Sequence, residues 1–404
     1  MPAPGRQPLL ILLLWAAGLG AAGQFSKFSV ILPEVAALYP ERGASIGFLV
    51  SMVSFVGVVL GLSAGILLNR IGARQTLILS LLLGAAVSLF QSLLPAFSIM
   101  LGSRILEGLS HLGIVVAAPT LMSTLTSSRW QPLAMSLWGT FFGVSFALTA
   151  WLGIPLVREH GVDMLFLLHA SHMAVMACLL GVLLPSAERA ACNMAANGQQ
   201  HPLRAGLQRH RQAYGSPFVA APSCAWLFYA ATFVALLTVL PTLMPASERA
   251  LVAGIMPLAA IAVSMTLGVF LLRRVPAIRV IALGFTLAMA LAIAFVVLPD
   301  TSWIAIALTG SLGLVQGASY AAIPQLNVRA EDQAIAYGTM AQMGNIGNII
   351  GTPLLLAVLA AANLPIMMMT VVGLYLCAIM LQYLLSRARD RRLAAPTDHQ
   401  PETH

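Results

Sequence analysis

Twelve stretches of predominantly apolar residues, divided by short polar punctuation, constrain this chain more than any other feature. They run at approximately 8–38, 44–68, 76–94, 98–124, 133–157, 163–184, 218–244, 251–272, 277–298, 302–326, 334–358 and 363–386. A helix needs about 20 such residues to cross the hydrocarbon core of a bilayer. In lipid every backbone N–H and C=O must be satisfied within the protein, so uninterrupted runs of this length are read as spanning helices. Composition agrees. The chain is 59% hydrophobic and only 8% charged, against about 25% charged residues in soluble proteins. No water-soluble core of this size could hide so much apolar surface. The expected fold class is an all-α membrane protein with 12 transmembrane helices.

The formal net charge of +8 raises the question of nucleic acid, and the distribution of the charges answers it. Of 21 Lys and Arg, one is Lys27 and the other 20 are arginines, clustered between apolar runs. A nucleic-acid surface would line one face instead. With the N-terminus inside, 16 basic residues fall on the inner side, 3 outside (Arg42, Arg158, Arg249) and 2 within spans (Lys27, Arg104). That bias predicts both termini on the cytoplasmic side and an even number of spans. The first run could be a signal peptide, with Arg6 before Leu9 and small residues after it. A retained first helix is the expectation, because its removal would leave an odd count. Cys178, Cys192, Cys224 and Cys377 show no redox or metal spacing and are expected to be free. His169 and His172, three apart with no third ligand, make a poor metal site.

The longest polar interval, 185–217, divides the runs into two sets of six. The expected organisation is a six-helix half over 1–190, a cytoplasmic linker over 191–217, a second half over 218–386 and a tail over 387–404. The halves echo one another. Gly65 precedes Arg70 by five, as Gly268 precedes Arg273; Gly139-Thr140 leads to Gly153-x-Pro155, as Gly338-Thr339 leads to Gly351-x-Pro353. A duplicated unit places a substrate site between the halves, near mid-depth.

The segment after the second run reads Gly65-x-x-x-Asn69-Arg70-x-Gly72-Ala-Arg74. It resembles motif A of the major facilitator superfamily, G-x-x-x-D-R-x-G-R-[RK], with Asn69 in place of Asp and Ala73 in place of a basic residue. The glycines suit close helix approach and a sharp turn, and the arginines can cap helix C-termini. The resemblance implies the major facilitator fold and makes Gly65, Asn69, Arg70, Gly72 and Arg74 a gating element, its charge-pair lock weakened by Asn69. In the fourth run, Ser103-Arg104-Ile-Leu-Glu107-Gly108-Leu-Ser110-His111 resembles motif B, where an Arg precedes a Gly by four. Arg104, Glu107 and His111 share one helical face. Glu107 is the one acid placed deep in a span, where a carboxylate is costly and usually functional. Two readings stay open: a proton-coupling group formed by Arg104, Glu107 and His111, or an Arg104–Glu107 pair that only fixes the helix.

Candidate substrate contacts are the polar residues of the other runs. Gln24 and Lys27 lie in the first, where Lys27 either attracts an anionic or acceptor-rich solute or snorkels to the interface. Gln316 and Tyr320 lie in the tenth. Gln342, Asn345 and Asn348 form an amide ridge in the eleventh that faces a neighbouring helix or an aqueous cavity. The aromatics Trp138, Phe141, Phe142 and Phe146 of the fifth run either pack or line a site for an apolar ring. The fifth run lacks the Gly-Pro and Gly-Gly pairs of proton antiporters related to this family.

No nucleotide-binding loop and no cluster of catalytic side chains occurs, so neither an ATP-driven pump nor an enzyme is expected, and no cofactor. The resemblance implies a secondary transporter, monomeric and multi-pass in a bacterial inner membrane, with protons, a small organic solute and lipid as its partners. Efflux of a drug, metabolite or siderophore-type compound leads; proton-coupled import of a small organic anion is the alternative.

Overall fold

A computed structural model describes residues 6–61, 71–127, 129–185, 214–298 and 302–394. Among them, twelve helices are long and apolar enough to cross a membrane: α1 Gln7–Ser29, α2 Pro40–Leu60, α3 Ala73–Gln91, α4 Phe97–Leu125, α5 Phe141–His160, α6 Val162–Leu183, α7 Pro217–Leu243, α8 Arg249–Leu272, α9 Ala277–Val297, α10 Ser302–Leu326, α11 Glu331–Ala361 and α12 Leu364–Ala394. The runs read from the sequence reappear with shifted ends. The first ends nine residues early, because Pro33 lacks the N–H that would carry the helix on. The chain bends at Val30 and Ile31 and resumes as the short helix Leu32–Leu38. The expected linker lies largely outside the described residues, as do Gly65, Asn69, Arg70 and Cys192.

The spans pack as two six-helix halves. In the first, α1 packs on α4, α5 and α6; α3 packs on α4 and α6; α2 packs on α4. Adding six to each number reproduces the second half: α7 on α10, α11 and α12; α9 on α10 and α12; α8 on α10. Contacts between the halves obey the same rule. α2 meets α11 and α5 meets α8, two pairs that the operation exchanges. The faint sequence repeat is therefore a structural one.

An even number of spans puts Gln7 and Ala394 on one face, called here the terminal face. Several bonds between the halves lie at the other. Arg249 at the start of α8 holds Glu34 through two bonds of 2.8 Å and the Val30 carbonyl at 2.9 Å. Ser29 meets Thr238 at 2.5 Å, and the Arg158 guanidinium reaches the Ala246 carbonyl. The molecule is closed on the face opposite its termini.

Several helices depart locally from regular α geometry, α8 at Ser264–Gly268 among them. α5 makes a π turn at Thr149–Gly153 just before Pro155, and α2 tightens to 3₁₀ at Met52–Ser54. The tightening falls beside Gly108 of α4, where a Cβ would stand 2.5 Å from the Val53 carbonyl oxygen. The Gly of the motif B resemblance is thus a close-approach site between α2 and α4.

Candidate functional site

The strongest concentration of polar chemistry lies inside the first half, where α1, α3, α4 and α6 converge. Lys27 is 1% exposed, and Arg104 and Glu107 are fully buried. Lys27 donates to Glu107 Oε1 at 2.6 Å, Gln91 Oε1 at 2.7 Å and Ser88 Oγ at 2.5 Å, which engages all three hydrogens of its ammonium. Glu107 Oε2 accepts from Arg104 and from Gln91 Nε2. Arg104 also donates to the carbonyls of Leu49 in α2 and Gln24 in α1, at 2.7 and 2.6 Å. Its guanidinium lies over the Phe28 ring, 4.4 Å from the centroid.

The cluster extends to α6. Ser88 Oγ lies 2.7 Å from Nδ1 of His169, whose Nε2 faces the Gly20 carbonyl at 2.8 Å. A carbonyl only accepts, so Nε2 carries the proton and Nδ1 accepts the Ser88 hydroxyl hydrogen. One turn along, His172 makes the same contact with the Ala16 carbonyl. Two histidines thus clamp α6 onto the backbone of α1. The i, i+3 spacing that made a poor metal site serves helix packing, and among the described residues no group of His, Cys, Asp and Glu could hold a metal ion.

The residues singled out from sequence are brought together unevenly. Arg104 and Glu107 form their pair. His111 turns elsewhere: its Nδ1 faces the Ala21 carbonyl at 3.1 Å and its ring meets the edge of Phe25. Lys27 neither snorkels nor presents its charge to a cavity; Glu107 holds it inside the half. Gln24 is fully buried and donates to Ser110, leaving its Oε1 unpartnered among the described residues. The amide ridge of α11 faces α2. Gln342 donates to the Val58 carbonyl and accepts from Tyr214, and Asn345 packs against Gly57. Asn348 Oδ1 is buried without a partner among the described residues.

Tyr320 is 47% exposed, and His111 is half-buried. Gln316, one turn before Tyr320, is half-buried. Trp226 of α7 meets the Tyr320 edge at 5.0 Å and continues into stacked Tyr229 and Phe233. In the first half, Trp138 stacks on Phe141 and Phe142 on Phe146, with Phe25 tilted against Phe142. Packing of Trp138 and Phe141 onto Gly18 of α1 accounts for those two rings.

The visible part of the motif A segment does what its chemistry suggests. Gly72 has φ +92°, which L side chains rarely adopt, and opens α3. Arg74 donates to the carbonyls of Gly181 and Leu184 and caps the C-terminal end of α6.

Two residues of the cluster escaped the sequence reading: Ser88 and Gln91. Their signal was a stripe in α3, Thr76, Ser80, Gly84, Ser88 and Gln91, small or polar at every third or fourth place in an otherwise apolar helix. Such a stripe marks a face turned to protein.

Comparison with known proteins places this geometry. The model of the Major Facilitator Superfamily matches residues 10–352. Solute carrier family 22 member 18 of Mus musculus is 29% identical over 168 residues, 40% of this chain and 41% of that protein. The inner membrane transport protein YajR of Escherichia coli (strain K12) is 30% identical over 145 residues, 36% of this chain and 31% of that protein. The chain thus aligns with less than half the length of either relative. Over the whole fold, a bacterial homologue of the human lysosomal transporter Spinster, inward-facing and unoccupied, superposes with a TM-score of 0.75 at 13% identity, covering 98% of this chain and 100% of that one.

Proposed function

The chain belongs to the Major Facilitator Superfamily, and from that premise we propose that it is a proton-coupled secondary transporter that expels a small organic solute across a bacterial inner membrane. It is a multi-pass membrane protein and a carrier of small solutes rather than an enzyme. One observation carries the coupling: three ionisable side chains, Lys27, Arg104 and Glu107, are gathered out of water within spanning helices. Charges at such depth cost several kcal/mol unless paired, and in transporters they mark ion pathways. The partly exposed side chains Gln316 and Tyr320 of the second half, together with His111, are the proposed substrate contacts. Import of an organic anion is the second reading, favoured by the missing antiporter pairs of the fifth run, although every hydrogen of the Lys27 ammonium is already engaged.

With both termini in the cytoplasm, as the arginine distribution favours, the bonds on the opposite face close the molecule to the outside. The E. coli relative is named for the inner membrane, and the Spinster homologue is inward-facing; both support that assignment by analogy.

The test uses purified protein in vesicles with a panel of fluorescent ring-bearing compounds of different charge: ethidium, Nile red and carboxyfluorescein. A pH gradient of either sign is imposed. Proton antiport predicts uphill movement of a panel member towards the acid compartment. Equilibration at the same rate and extent under both gradients and under none would make the protein a uniporter and overturn the coupling.

A further inference from the structure

Resting on the proton-coupled reading, we propose that the exchanged proton is carried by Lys27, and that Ser88 and His169 form the relay through which it comes and goes.

Charge counting is the first support. With all three groups ionised, Lys27 and Arg104 set two positive charges against the one negative charge of Glu107. The cluster then holds one uncompensated charge out of water, a costly arrangement in a spanning bundle. Arginine does not give up its proton in proteins. Glu107 already accepts from Arg104, Gln91 and Lys27, and protonating it would raise the excess to two. Loss of one proton from the Lys27 Nζ brings the cluster to zero while the Arg104–Glu107 pair persists. The cluster therefore alternates between charges of one and zero only through Lys27.

Connectivity is the second. Of the three acceptors around the ammonium, Gln91 cannot relay a proton and Glu107 is anchored by Arg104. Ser88 Oγ accepts from Lys27 at 2.5 Å and donates to His169 Nδ1 at 2.7 Å. The Lys27 N–H bond breaks as Ser88 Oγ takes that proton, and the Ser88 hydroxyl proton passes to Nδ1. Lys27 becomes a neutral amine and His169 an imidazolium. His169 is 8% exposed, and it is the titratable member of the chain with an accessible edge. There the imidazolium releases a proton to water, and the reverse sequence reloads Lys27. The groups facing this path are Glu107, Arg104 and His111 from α4 and His172 beside His169 from α6; α3 offers only the neutral Ser88 and Gln91.

Lys27 is the sole lysine of the chain, so the wild-type protein can be read directly. Protein labelled with [13C,15N]-lysine in lipid nanodiscs gives one side-chain signal. The expected result is a change of that signal from its ammonium to its amine position within the pH range that drives transport. A signal that stays ammonium across that range, while wild-type vesicles still concentrate a dye along the pH gradient, overturns the proposal.

Lys27→Arg supplies the second arm, since a guanidinium cannot cycle its proton. In vesicles, with whichever panel dye wild type moves, it should lose pH-driven accumulation while still eluting as a folded, monodisperse protein. Undiminished accumulation by Lys27→Arg overturns the proposal and leaves the coupling reading intact. Wild type that ignores both gradients removes both. His169→Gln should slow the initial rate about tenfold or more without changing the final accumulation, as loss of a proton-transfer group does; an unchanged rate removes the relay. Should Lys27→Arg fail to fold, the wild-type titration decides alone.

Discussion

The two halves share a packing plan and differ in what fills it. In the first, α1 is tied to its neighbours by side-chain chemistry: Lys27 to α3 and α4, its Gln24, Gly20 and Ala16 carbonyls to Arg104, His169 and His172. In the second, α7 occupies the matching place with no ion pair; Gln382 and Arg389 of α12 reach only its Ala221 and Pro217 carbonyls. It lies along α11, the most extensive helix pair among the described residues, against Gly344, Gly347 and Gly351. Its buried hydroxyls, Thr232 and Thr238, bond carbonyls of α7 itself. One half is held by directional, charge-assisted bonds and the other by close backbone approach. Packing of small residues is the ordinary way to join helices in lipid. Buried charge is the expensive way, and the fully buried Arg104–Glu107–Lys27 cluster of the first half points to work done there.

The largest expected effect comes from breaking the charged half. Glu107→Leu leaves Lys27 and Arg104 buried without their anion, which costs about 3–5 kcal/mol. Thermal unfolding in detergent, read by size-exclusion chromatography, should show a sharp drop in stability. The triple replacement Lys27→Met, Arg104→Met, Glu107→Met should recover most of it while remaining inactive, because apolar residues of similar volume can replace a buried ion cluster. A triple variant no more stable than Glu107→Leu would show that packing, not charge, holds this half.

The glycine-packed half breaks differently. A Cβ at Gly351 collides with the Ala231 carbonyl and one at Gly347 with the Leu227 carbonyl. Gly347→Val should therefore destabilise by about 1–3 kcal/mol through overpacking. Gly139, with nothing within 4 Å of its notional Cβ, should accept Ala without loss. Equal tolerance at the two sites, by the same unfolding assay, would dissolve the contrast.

The bridge between the halves should respond to acid. Burial raises the Glu34 carboxyl, but the hydrogen bonds and charge of Arg249 outweigh it and leave the group below its usual value. The Glu34–Arg249 pair is thus complete at neutral pH and is lost as pH falls through that lowered value. Its weight is small, about 1 kcal/mol or less for a pair near the surface. In a cysteine-free background, Ser29→Cys beside Thr238 should be labelled faster by a thiol reagent when Glu34→Gln is added. Labelling unchanged by Glu34→Gln would show that the closed face does not depend on this pair.

The smallest effect is expected at a hydroxyl of the second half. Thr309 of α10 is buried and bonds the Met256 carbonyl and carbonyls of its own helix. Thr309→Val should cost no more than about 1 kcal/mol. A loss comparable with that of Glu107→Leu would mean the second half also depends on directional bonding.

Hydrophobic runs long enough to cross a bilayer determined the helix count, because lipid leaves a spanning chain no other way to satisfy its backbone. The six-plus-six division, the Arg104–Glu107 pair and the turn at Gly72 were legible for similarly local reasons: repeated spacing, one face of one helix, one glycine conformation. The partners of Lys27 were not. Ser88, Glu107 and His169 lie 61, 80 and 142 residues from it, and no periodicity links helices α1, α3, α4 and α6. Glu34 and Arg249 stand 215 residues apart and meet only because the halves close on one face. The sequence by itself determined which segments enter the membrane, since hydrophobic transfer is a property of each segment alone. Which buried charge meets which was decided by tertiary structure, since a desolvated ion is stabilised only by partners brought within a few ångströms of it.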